Sequence, residues 1–87
     1  MNLLQTILDH HEDEEILKAD GFDQAVIGIG QAFGDNSRLI YSVKKCLEIL
    51  VGQGMNYEDA VEHFEFNVSG AYVGERTPIW CYDDYEV

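Results

Sequence analysis

The sequence predicts an α+β domain: three helices packed with a small antiparallel sheet of three strands, in the order α-β-β-α-α-β. Three observations predict it. Apolar residues recur at helical spacing near residues 2–18, 43–51 and 56–71. Two strand-like runs, "QAVIGIGQAF" (24–33) and "RLIYSV" (38–43), flank the turn signal "GDNS". A third run, "PIWCY" (78–82), follows the last helical segment. Helices segregated around a small antiparallel sheet define this class.

The first helix starts with Asn2 as cap and Gln5 at its third position, a capping-box arrangement. Leu3, Leu4, Ile7, Leu8 and His11 share one face; Ile16 and Leu17 extend the apolar character off-register, and Asp20-Gly21 ends the helix. In the first strand, Ala25, Ile27, Ile29 and Phe33 alternate with Val26, Gly28, Gly30 and Ala32. The second of these faces is nearly bare and admits close neighbours. The returning strand makes a hairpin with a loop of about four residues.

Val43, Cys46, Leu47, Leu50 and Val51 mark the second helix, which Gly52 and Gly54 stop. Asn56 caps the third, where Glu58 and Asp59 suit the positive end of the helix dipole. Its stripe is Tyr57, Ala60, Val61, Phe64, Val68 and Ala71, ended by Gly70 or Gly74. Pro78 forbids helix there and places the third strand at a sheet edge or sets its start. The acidic tail 83–87 is expected to fray. An open sheet edge would let a second copy pair with it, which makes a homodimer an expectation to test.

A chain of 87 residues makes one domain, and 46% apolar residues with a single proline argue against disorder. No apolar run approaches the length of a membrane span, and "MNLLQTILDHHEDEE" lacks the basic start and apolar core of a secretory signal. The expected compartment is a cytoplasm. Cys46 and Cys81 lie far apart, outside any CxxC, and suggest neither a zinc site nor a disulfide framework.

Charge is the strongest compositional feature: 17 acidic against five basic residues, net −12. The cations are Lys18, Arg38, Lys44, Lys45 and Arg76, and only the two lysines at 44 and 45 adjoin. Direct nucleic-acid binding and binding to an anionic membrane both need a basic footprint, and are disfavoured. A protein partner with a basic surface would be attracted and steered, although the same acidity also serves solubility.

Candidate chemistry is sparse. "DHHEDEE" (9–15) offers His10 with Glu14 and His11 with Glu15 at helical spacing, and His63 is the remaining histidine. Imidazoles with nearby carboxylates suit zinc or iron, but neither HExxH nor ExxH occurs, so a solvated helix face is the simpler reading. "GIGQAFG" (28–34) has GxGxxxG spacing with a turn and strand after it, unlike a dinucleotide loop. Nothing places Cys81 beside His63 as a thiolate–imidazole pair. Glu58, Glu62 and Glu65 line the outer face of the third helix as candidate contact residues. The sequence therefore names no catalytic residue, cofactor or metal ligand.

"GERTP" (Gly74, Glu75, Arg76, Thr77, Pro78) is the one polar cluster between two core elements, and Asn67 and Gly70, near the helix end before it, are further candidate interaction or structural-motif residues. Asn67 begins an Asn-Val-Ser sequon, which has no bearing on a chain read as cytoplasmic; its side chain is expected to bond the backbone at the helix end. Glu75 and Arg76 are either an outward recognition tip or part of a strand-initiating turn.

From Met55, Glu58 and Ala60 through "FEFN", Gly70-Ala71, Gly74-Glu75 and Thr77-Pro78 to Trp80, the chain resembles the C-terminal block of small uncharacterised proteins of tailed bacteriophages and environmental viral sequences (FEFNxxGAxxGExTP). Residues 22–51 resemble the same proteins more loosely. Those proteins often carry aspartate where this chain has Ser42. The resemblance covers about two thirds of the chain and no part of the first helix. It implies a phage-type origin and a host cytoplasm, and carries no activity with it.

The leading expectation is a non-enzymatic accessory protein that binds a host or viral protein. One version mimics nucleic-acid charge along an elongated acidic face. The alternatives are a small metal-binding protein or enzyme using His10, His11 and His63, and a homo-oligomeric structural protein.

Overall fold

The computed structural model describes residues 3–12, 15–31, 36–69, 74 and 76–84. Its elements follow the expected order: α1 (Leu3–His10), a 3-10 turn (Asp23–Ala25), β1 (Val26–Gly30), β2 (Arg38–Ser42), α2 (Val43–Gly52), α3 (Tyr57–Phe64) and β3 (Ile79–Cys81). A π-helical turn (Glu65–Ser69) extends α3. The fold is α+β, with a three-stranded sheet ordered β1-β2-β3. No helix among the described residues is long and apolar enough to cross a membrane.

The sheet is mixed rather than antiparallel. β1 and β2 form the expected antiparallel hairpin, while β3 lies parallel to β2, Tyr41 beside Trp80 and Ser42 beside Cys81. Parallel neighbours need a crossover connection, and α2 and α3 supply it. Pro78 is buried just before β3, which is an edge strand. An edge tolerates a residue without a backbone donor at its start.

The β1 faces also differ from simple alternation. Val26 pairs with Tyr41 and Ile29 with Leu39, and the register shifts between Val26 and Gly28. That bulge turns Val26 and Ile29, three residues apart, toward the same core and leaves Ile27 exposed. On the bare face, a Cβ at Gly30 would lie 3.1 Å from Cδ1 of both Ile40 and Ile79. The close neighbours allowed by that glycine are thus side chains of β2 and β3.

α1 is shorter than residues 2–18. It ends at His10, followed by a turn at 11–12, and 15–19 run without regular structure. Acidic residues crowd the chain just past His10, where a helix presents its negative pole. Leu4 and Ile7 are buried, while Ile16 and Ala19 reach the core from the irregular segment. Tyr41, wholly buried on β2, anchors that segment: its hydroxyl accepts the Ala19 N–H at 2.8 Å. Burial pushes the Tyr41 phenol pKa up, and the Ala19 bond works against that rise.

α2 and α3 follow their stripes except at Val51, near the end of α2, and Tyr57, at the start of α3, which are both exposed. Val43, Cys46, Leu47 and Leu50 of α2 and Ala60 and Phe64 of α3 enter the core. Trp80 packs at a tilt against Tyr41 (centroids 5.2 Å apart) and edge-to-face with Phe64 (5.3 Å), tying β3 to β2 and α3. Burial, then the nearby Asp83 charge, push the Cys46 thiol up to about 12. It is an inert core group, and both cysteines are free. Gly54 takes the positive φ, +107°, that turns the chain from α2 into α3.

Candidate functional site

α3 carries the acidic candidate residues Glu58 and Glu62. The Asn56 Oδ1 accepts the Asp59 N–H at 2.8 Å, as its capping position requires. That cap, with Ala60 and Phe64 pinned in the core, turns Glu58, Asp59, Glu62 and Glu65 to solvent. Phe66 stands among them 78% exposed. Tyr57, expected in the buried stripe, is 55% exposed: it is the first residue of α3, and its hydroxyl donates to Asp84 instead. That bond, chiefly, raises the Tyr57 pKa. Ala71 lies outside the described residues.

Asn67 is exposed. Its Nδ2 donates to the His63 carbonyl at 3.3 Å and lies 3.5 Å from the His63 Nδ1. It bonds the backbone as expected, but in water and at long range, not in a buried network. Asp59, Glu62, His63, Phe66 and Asn67 surround a shallow depression.

The "GERTP" turn is built for structure where it is described. Thr77 donates its hydroxyl (2.6 Å) and its N–H (3.1 Å) to the Gly74 carbonyl, and Gly74 takes φ +108°. Arg76 is not an outward tip. One arm donates to the Glu15 carbonyl at 2.8 Å and the other to the Asn36 side chain at 3.2 Å. This fork joins the turn, the segment after α1 and the start of β2, a geometry that suits a planar guanidinium. Pro78 and Thr77 are buried. Gly70 and Glu75 lie outside the described residues.

The histidines do not form a shared ligand set. His10 Nδ1 lies 2.8 Å from the Thr6 carbonyl within its own helix, and His63 faces Asn67. His11 is partly buried in the turn after α1. Among the described residues no three His, Cys, Asp or Glu side chains stand close enough to hold a metal ion.

Two features had little local signal. Asp83, in the tail expected to fray, accepts the Ser42 hydroxyl at 2.6 Å and the Lys44 N–H at 3.0 Å. Ser42 in turn accepts the Lys45 N–H at 3.1 Å as the N-cap of α2. Desolvation pushes the Asp83 carboxyl up, but the bonds from Ser42 and Lys44 outweigh it and hold it below the usual carboxylate value. A helix N-terminus thus gains a capping hydroxyl and a carboxylate from a distant strand end. The second feature is a groove of about 180 Å³ between α2, α3 and the tail. Val43, Leu47, Val61 and Phe64 floor it; Tyr57, Glu65, Tyr82 and Asp84 form its rim. The spacing of Val43 and Leu47, and of Val61 and Phe64, marks both floors in the sequence. Nothing local shows that the tail crosses between them.

No family model, curated protein or solved structure matches the chain.

Proposed function

We propose that the protein is a small acidic accessory module of phage type that works in a host cytoplasm by binding a host or viral protein, without catalysing a reaction. One observation carries the reading: α3 and the π-helical turn after it expose Glu58, Asp59, Glu62 and Glu65 interleaved with the rings of Tyr57 and Phe66. Protein contacts favour aromatic anchors inside a polar rim. The net charge of −12 speeds encounter with a basic surface and opposes approach to nucleic acid. Arg76, Thr77 and Gly74 are assigned to holding the fold, and Glu58 and Glu62 to the contact face.

Affinity capture from host lysate at low salt tests the reading. A specific protein recovered by the wild type, and lost with Glu58→Lys/Glu62→Lys, is the expected result. Recovery of nothing above background at low salt overturns it. A partner whose capture survives the double variant moves the contact off this face.

A further inference from the structure

We propose that the groove between α2, α3 and the C-terminal tail is a docking site for a peptide segment of a partner protein, with one bulky apolar side chain as anchor and lysine or arginine on either side. This rests on the reading of the protein as a protein-binding module, and adds where the contact sits and what it selects.

The size points to a side chain rather than a small molecule. At about 180 Å³ the groove is smaller than the roughly 300–1,000 Å³ of pockets that enclose drug-sized ligands. Its floor is aliphatic and aromatic, from Leu47 to Phe64. Two tyrosines stand at the rim, Tyr57 at 55% and Tyr82 at 52% exposure. Large half-exposed rings beside an apolar floor make anchor sites in protein contacts.

Charge then selects among occupants. Among the described residues, the charged groups lining the groove are Glu65 and Asp84, both acidic. A segment with basic flanks meets them favourably; an acidic segment or a phosphate backbone is repelled. A second copy of this chain, itself at −12, would bring like charge to the same rim. The acidic rim therefore favours a foreign basic segment over self-association.

The test is a titration of isotope-labelled protein with three synthetic peptides of equal length, followed by NMR. One is an amphipathic leucine–lysine peptide. The second replaces each leucine by serine, and the third replaces each lysine by glutamate. The leucine–lysine peptide is expected to shift Val43, Leu47, Val61 and Phe64 signals saturably, and to bind at least about tenfold tighter than either of the others. Tyr57→Ala and Glu65→Lys should each weaken it about fivefold or more. Glu48→Lys, the same charge change on the exposed side of α2, should weaken it less than about twofold. Both test residues are exposed, so these variants are expected to fold, and their spectra report it.

Equal binding of the serine–lysine peptide, shifts confined to other surfaces, or no binding at all overturns the groove. So does a sedimenting dimer that Tyr57→Ala dissociates, which assigns the site to a second copy. The lysate experiment separates the two levels. A partner captured equally by wild type and the Tyr57→Ala/Glu65→Lys variant removes the groove and leaves the protein-binding reading standing. Capture of nothing removes both.

Discussion

Replacing Tyr41 by phenylalanine removes one oxygen from the centre of the fold. The ring stays, so its tilted contact with Trp80 and its place opposite Val26 are retained. The hydroxyl is the acceptor for the Ala19 N–H, 22 positions earlier in the chain. Without it, a partly buried donor loses its partner. A stranded buried group costs about 1–3 kcal/mol, and Ala19 is open enough for water to offset part of that. We therefore expect a loss of about 1.5 kcal/mol. For a domain of this size it lowers the Tm by about 6–12 °C. Urea denaturation measures the loss, and amide exchange locates it. The Ala19 N–H should be protected in the wild type and exchange faster in Tyr41→Phe, while amides in α3 keep their relative protection. A loss under about 0.3 kcal/mol together with unchanged Ala19 exchange would refute the claim that this bond anchors the segment after α1.

Ser42→Asp keeps a capping oxygen but sets a carboxylate against Asp83. It should destabilise by about 1–2 kcal/mol, and adding Asp83→Asn should recover most of the loss in chemical denaturation. The lowered Asp83 pKa sets a pH dependence. Its contribution is present above the ordinary value of 3.8 and disappears as pH falls through the lower folded-state value. Melting curves across that range should show an acid-side loss that Asp83→Asn flattens. Phe64→Ala should cost about 3–5 kcal/mol, whereas Phe66→Ala, on the outside of the same helix, should stay within about 0.5 kcal/mol; equal effects would contradict the assigned helix face. Arg76→Ala should cost about 1 kcal/mol by urea titration, and Arg76→Lys should not restore it, because an ammonium cannot reach both acceptors with the same fork.

Asn67 is expected to bond the backbone at the helix end. A loss of about 1 kcal/mol for Asn67→Ala would require a buried hydrogen bond. The bond is exposed and long, so the expected effect falls to a few tenths. Glu75 lies outside the described residues.

What the sequence determined by itself was local. Stripes at helical spacing identified most of the core faces of α2 and α3, Asn56 identified the cap of α3, and "GDNS" between two strand-like runs identified the hairpin. Each depends on residues within a few positions of one another, where spacing alone carries the physics. It failed wherever a contact spans many residues. The bulge that lets Val26 and Ile29 share a core, the parallel direction of β3, the release of Tyr57 to Asp84 and the turning of Arg76 inward are all of that kind. The candidate site follows the same division. The acidic face of α3 could be read from its spacing, whereas the groove exists only because Asp83 returns to the start of α2 and brings Tyr82 and Asp84 with it. A hydrogen bond between residues 41 positions apart leaves no periodic trace, so only the folded chain decides it.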